Sequence, residues 1–78
     1  MYLTITLRLR GREYDIQADS NLPVERAIRT VSESMRIYEG AAPPAFYKSA
    51  QQSRVISGAF TFEQARIQNG DILAAIEG

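Results

Sequence analysis

Residues 1–9 alternate strictly: Met1, Leu3, Ile5, Leu7 and Leu9 fall on one side of an extended chain, and Tyr2, Thr4, Thr6 and Arg8 on the other. A period of two describes a β-strand with one buried face, so the chain begins by committing itself to a sheet that is apolar on one side. Arg10-Gly11-Arg12 then supplies a turn, because Gly11 can take the positive φ that a tight hairpin demands. Tyr14, Ile16 and Ala18 resume the alternation. The predicted opening is a β-hairpin in which Leu7 faces the core, Leu9 caps its edge, and Arg8 and Arg10 face water.

Asp19-Ser20-Asn21 breaks the second strand, and Pro23 suits the first turn of a helix, where its missing N–H costs nothing. Val24, Ala27, Ile28, Val31 and Met35 follow at the spacing of one helical face, with Met35 filling a core gap. Arg26, Arg29, Glu33 and Arg36 fall off that stripe, and Glu25 with Arg29 makes a helpful i,i+4 pair. Gly40 can end the helix in the left-handed conformation, and Pro43-Pro44 prevents its resumption.

A short strand is predicted over Phe46–Ser49, a polar turn at residues 50–52, and another strand over residues 54–56. Thr61 with Gln64 forms the reciprocal capping pattern of a single helical turn. After the Asn69-Gly70-Asp71 turn, residues 72–76 are a near-continuous apolar run, which suits a central strand. The order is β-β-α-β-β-(short helix)-β. Its compact solution is an α+β fold in which the first and last strands lie parallel in the middle of a mixed sheet and the helix crosses one face: the β-grasp arrangement.

Composition restricts the chemistry. Residues 1–78 form one domain, with 45% hydrophobic and 23% charged residues, as in a folded globular chain. Nine basic and nine acidic residues cancel, so no global field draws the protein to nucleic acid or anionic lipid. No apolar run approaches the roughly 20 residues that cross a bilayer, and no signal-peptide pattern opens the chain, so a cytoplasmic protein without membrane insertion is expected. With neither cysteine nor histidine, disulfides, the usual zinc sites, and Ser–His or Cys–His catalysis are excluded. Carboxylates, Lys48 and the tyrosines remain as acid–base groups. The nearest approach to a carboxylate pair is Asp15, in a strand, with Asp19, in a loop, and no pocket-forming or Gly-rich segment accompanies them. No enzyme, no cofactor and no metal site is expected.

The segment RVISGAFTFEQARIQNGDILAAI, residues 54–76, carries a family resemblance. Its strand, capped turn, following apolar residue, short loop and last strand are similar to those of the ubiquitin-like superfamily, and the likeness in order spans nearly the whole chain. Phe62 and Ile67 occupy the apolar positions flanking the turn, and Leu73 and Ala75 the inward positions of the last strand. The Met-Tyr start, Pro23-Val24, Val55-Ile56-Ser57-Gly58 and Asn69-Gly70-Asp71 look most like the small bacterial YukD/EsaB-like proteins. That resemblance implies a cytosolic accessory component of a type VII (WXG-type) secretion system, with no catalytic residues to transfer. Leu7-Arg8-Leu9-Arg10-Gly11 resembles the conjugation tail of ubiquitin, but it is interior and predicted to be a paired strand. A modifier or sulfur carrier, the alternative reading, needs a flexible Gly-Gly tail. Here only Glu77 and Gly78 follow the last strand, so a non-conjugating protein is expected.

If the helix covers one face of the sheet, a protein partner would meet the other. Alternation puts Ile72, Ala74 and Ile76 there beside Tyr2, Thr4 and Thr6, joined by Phe46 and Lys48, or by Tyr47 and Ser49 if the third strand has the opposite register. In ubiquitin the corresponding face carries the patch that most partners recognise. The expected docking patch is therefore Ile72, Ile76, Tyr2 and Phe46, with Arg8 and Lys48 on its rim, serving secretion components or self-association. The competing reading covers Ile72 and Ile76 with a loop or turns them into the core rim. A second alternative, nucleic-acid binding, rests on Arg8, Arg10 and Arg12 with Tyr14 nearby. Glu13 and Asp15 interrupt that cluster, so no nucleic-acid partner is expected.

Overall fold

The computed structural model describes residues 1–77. Six elements follow in order: β1 (Tyr2–Leu9), β2 (Arg12–Asp19), α1 (Val24–Met35), β3 (Phe46–Ser49), β4 (Arg54–Ser57) and β5 (Ile72–Ala75). The strands form one mixed sheet in the order β2-β1-β5-β3-β4. At its centre β1 and β5 run parallel, with Thr6 opposite Ile72 and Leu7 opposite Leu73, and every other neighbouring pair is antiparallel. The chain is thus a compact α+β domain with a five-stranded mixed sheet and one helix. The hairpin turn uses positive φ at both Arg10 (48°) and Gly11 (77°), the backbone twist that matches two right-twisted strands.

The predicted alternation of β1 holds along its whole length. Leu3, Ile5, Leu7 and Leu9 are buried and form one cluster with Tyr47 of β3, Ile56 of β4, Leu73 of β5, and Val24 and Ile28 of α1. Phe62, Ala65 and Ile67 close the same cluster from the segment between β4 and β5. Tyr47 and Ser49 point inward and Phe46 and Lys48 outward, which decides the register left open by the sequence.

Four local expectations need correction. The buried stripe of α1 is Val24, Ile28 and Ser32, whereas Met35 is 56% exposed and fills no core gap. Ser32 tolerates burial because its hydroxyl donates to the Ile28 carbonyl one turn back (2.6 Å). The helix ends at Arg36, not Gly40: Arg36 is left-handed (φ 55°), and the N–H of Ile37 returns to the Ser32 carbonyl (3.0 Å). The cause is apolar, since this turn sends Ile37 and Tyr38 back onto the core. Gly40 does have a positive φ, but it lies in a later turn.

Pro23 is the cap residue and not the first helical one, and no side chain caps the helix. Instead the N–H groups of Val24 and Glu25 donate to the carbonyls of Phe60 and Gly58 (both 2.8 Å). Gly58 permits that docking, because a Cβ there would meet Glu25 Cβ at 3.1 Å, the Tyr47 ring at 3.2 Å and the Ala45 carbonyl at 3.3 Å. Thr61 and Gln64 make both bonds of the predicted reciprocal cap (3.0 Å each). The segment they start is a turn and not a helix; left-handed Arg66 stops it, and Ile67 N–H closes onto Phe62 O at 2.9 Å. Among the described residues, no helix is long and apolar enough to cross a membrane.

Candidate functional site

With α1 covering one side of the sheet, the other side carries the outward half of every strand. Cross-strand register divides it into two unlike halves. Across β1 and β2 the facing pairs are Tyr2–Asp19, Thr4–Gln17, Thr6–Asp15 and Arg8–Glu13. This half is largely polar, and two of the pairs bond directly: Thr6 Oγ1 donates to Asp15 (2.7 Å), and Arg8 Nη2 pairs with Glu13 at 2.6 Å. Across β5, β3 and β4 the same face presents Ile72 and Ala74, then Phe46 and Lys48, then Val55 opposite Lys48. Ile76 continues β5 by donating its N–H to the Phe46 carbonyl (3.0 Å).

Phe46, Val55 and Ile76 are each about half exposed (52%, 54% and 45%), and Ile72 is half-buried. Ile76 is therefore open to a partner, whereas the competing reading, a place at the rim of the core, still fits half-buried Ile72. Val55 belongs to the patch and was missed, because a four-residue strand of Arg-Val-Ile-Ser offers two apolar neighbours and no parity. Tyr2 is not brought into it. β5 starts opposite Thr6, and Tyr2 lies four residues earlier along β1, about 13 Å away.

Lys48, the chain's one lysine, lies amid these apolar groups and makes no ion pair among the described residues. Arg8 borders it across β5, and the two flank a shallow depression of about 300 Å³ floored by Ile72, Ala74 and Ala50. Arg8 is committed to Glu13, which leaves Lys48 as the available cation of the face.

The arginines proposed for a polyanion do not converge. Arg8 points to the open face, whereas Arg12 and Tyr14 occupy the inward register of β2, opposite Leu9 and Leu7. Arg10, expected to face water, is held by the protein: its guanidinium donates to the Ile37 carbonyl (2.8 Å) and stacks over the Tyr38 ring, 4.6 Å from the centroid. Tyr38 donates in turn to Glu77, which follows β5. Burial first, then this carboxylate, pushes the Tyr38 hydroxyl above its ordinary range. Gly78, the other residue of the predicted stub, lies outside the described residues.

No catalytic arrangement is visible among the described residues. Asp15 and Asp19 both belong to β2, four residues and about 13 Å apart, the first bonded to Thr6 and the second to the Asn21 N–H (3.0 Å). Asp71, the one fully buried carboxylate among the described residues, accepts from Ser49 Oγ (2.5 Å) and from the N–H groups of Gln51 (3.1 Å) and Ile72 (2.8 Å), a structural role that composition and spacing do not signal. No group of three or more acidic residues could hold a metal ion among the described residues. Comparison with protein-family models and with curated proteins finds no match to this chain.

Proposed function

We propose that the protein is a non-catalytic, non-conjugating domain of the ubiquitin-like β-grasp type that binds another protein through the open half of its sheet. The observation that carries this reading is the contiguous set of exposed Phe46, Val55 and Ile76 with half-buried Ile72 around unpaired Lys48, on the sheet face opposite the helix. Apolar groups surrounding one unmatched cation fit a partner surface of apolar residues around a carboxylate. The strand order β2-β1-β5-β3-β4 with a central parallel pair agrees with the β-grasp reading. The resemblance of its motifs to YukD/EsaB-like proteins points to a cytoplasmic accessory of a type VII (WXG-type) secretion system as the setting.

Titration against a purified WXG-type substrate and against the cytosolic part of an FtsK-like ATPase tests both statements. Phe46→Ser with Ile76→Ser should weaken binding at least about thirtyfold while leaving the unfolding midpoint nearly unchanged, since both side chains are half exposed. Equal binding by wild type and the double variant would remove the sheet face from consideration. Absence of binding to either component would remove the secretion setting.

A further inference from the structure

Strand β2 is an edge of the sheet, with β1 as its sole neighbour. The two-residue turn makes Leu9 and Arg12 a hydrogen-bonded pair, and bonded pairs alternate from there. Glu13, Asp15 and Gln17 therefore turn their N–H and C=O groups away from β1. The facing residue Thr6 agrees, because its N–H leaves β2 and donates to the Asp71 carbonyl (3.0 Å). Among the described residues nothing bonds the outward backbone groups of Glu13, Asp15 and Gln17. The opposite edge, β4, is shorter and partly used: the Ser57 carbonyl accepts from Phe60, and Arg54 reaches across to the Ala65 carbonyl.

The inner side of this free edge is also incomplete. Tyr14 and Ile16 point toward the helix yet stay half-exposed, because α1 buries Val24 and Ile28 over the centre of the sheet and leaves its margin open. Together with Val31, Met35, Thr30 and Ser34 they line a groove of about 460 Å³. On the outer side, Glu13, Asp15 and Asp19 project from β2, and β1 answers with Arg8 alone. A second copy pairing β2 against β2 would set these acids against one another, which disfavours self-pairing.

We propose that β2 receives an added strand from a protein partner, an extended segment in which apolar residues alternate with basic ones. The free N–H and C=O groups supply the ladder. Alternate apolar side chains enter the groove beside Ile16, Val31 and Met35, where the exposed Met35 can adapt to them. The intervening residues stand opposite Glu13 and Asp15 and gain oppositely charged cross-strand neighbours. This surface is separate from the open sheet face, and neither reading depends on the other.

A synthetic peptide of about eight residues alternating valine with lysine, the length of an ordinary strand, is the probe, and its valine–glutamate counterpart the control. Amide NMR should show the Glu13, Asp15 and Gln17 signals shifting and their exchange slowing with the basic peptide only. Gln17→Pro deletes an outward N–H without touching a ladder bond and should weaken binding about tenfold. Asp15→Lys should shift the preference toward the acidic peptide, and it keeps the test decisive should the proline variant fail to fold. Equal binding of both peptides, shifts confined to Phe46, Val55 and Ile76, or no saturation by about 1 mM peptide would each overturn the proposal. Concentration-dependent protection of Gln17 without peptide would assign the edge to a second copy and overturn it as well.

Discussion

Asp71 and Tyr47 are both fully buried, and each has a polar group whose removal or ionisation should be felt. Asp71 joins the β3–β4 turn to the start of β5 through Ser49, Gln51 and its own successor Ile72. Asp71→Ala would leave a hydroxyl and two N–H groups without acceptors in a dry site. We expect a loss of about 3 kcal/mol, read as a lower denaturation midpoint at unchanged m-value. Tyr47 donates its hydroxyl to the Pro44 carbonyl, and burial, followed by the charges of Glu25 and Glu77, pushes its pKa up to about 12. The folded state then holds this proton where the unfolded chain has released it. Stability is complete below about pH 10 and falls as pH rises toward 12, by up to about 1.4 kcal/mol per pH unit. Denaturation at successive alkaline pH values checks this, and Tyr47→Phe should lessen the slope. The sequence could not choose between Phe46 and Tyr47 for the core, because each parity of Phe-Tyr-Lys-Ser pairs one aromatic with one polar residue. Pairing with β5 and β4 decided it.

At the scale of elements, legibility followed periodicity. β1, with four inward aliphatics, could be read outright, and so could the hairpin and the Thr61–Gln64 cap, where side-chain chemistry is local. α1 was legible in its first two turns and misread in its third. A tally of apolar residues selects Met35 and passes over Ser32, although Ser32 lies on the line of Val24 and Ile28. Its end was misplaced for a related reason: glycine marks left-handed positions in a sequence, but here the need to return Ile37 and Tyr38 to the core forces Arg36 into that conformation. A side chain at positive φ is strained, and the Arg36–Glu39 contact at 3.9 Å between exposed groups offsets little of it. Arg36→Gly should therefore stabilise the fold by about 1 kcal/mol, visible as a higher melting temperature with unchanged helix content. A decrease would mean that the arginine side chain contributes more than its conformation costs. Within the candidate site, Phe46 and Lys48 depended on the β3 register that strand pairing decided, whereas Ile72 and Ile76 could be placed from parity alone. Val55 and the separation of Tyr2 could not, because both depend on how far each strand overlaps its neighbour.

For a domain of 78 residues the core is small, so ties between distant segments weigh heavily in the whole molecule. Arg10, Tyr38 and Glu77 form such a tie, linking the β1–β2 hairpin tip, the α1–β3 connection and the residues after β5. Distances alone would rank it below Arg8–Glu13, which pair at 2.6 Å while Arg10 and Glu77 approach only to 3.9 Å. The further contacts of Arg10 reverse that order. Arg8 and Glu13 are about half exposed, where an ion pair contributes little. Arg10 is as exposed as Arg8 (57% against 49%), but it also covers a buried ring and donates to the Ile37 carbonyl, which accepts no other hydrogen bond among the described residues. Arg10→Ala should lose about 1.5 kcal/mol and Arg8→Ala less than about 0.5, and Arg10→Lys should recover only part because an ammonium cannot stack as a plane. Amide exchange should accelerate around Ile37 and Ile76 in Arg10→Ala while the Leu3, Ile5 and Leu7 amides keep their protection. If Arg8→Ala proved the more damaging, or if exchange rose throughout the sheet, the hairpin tip would owe its position to strand pairing and not to this three-segment contact.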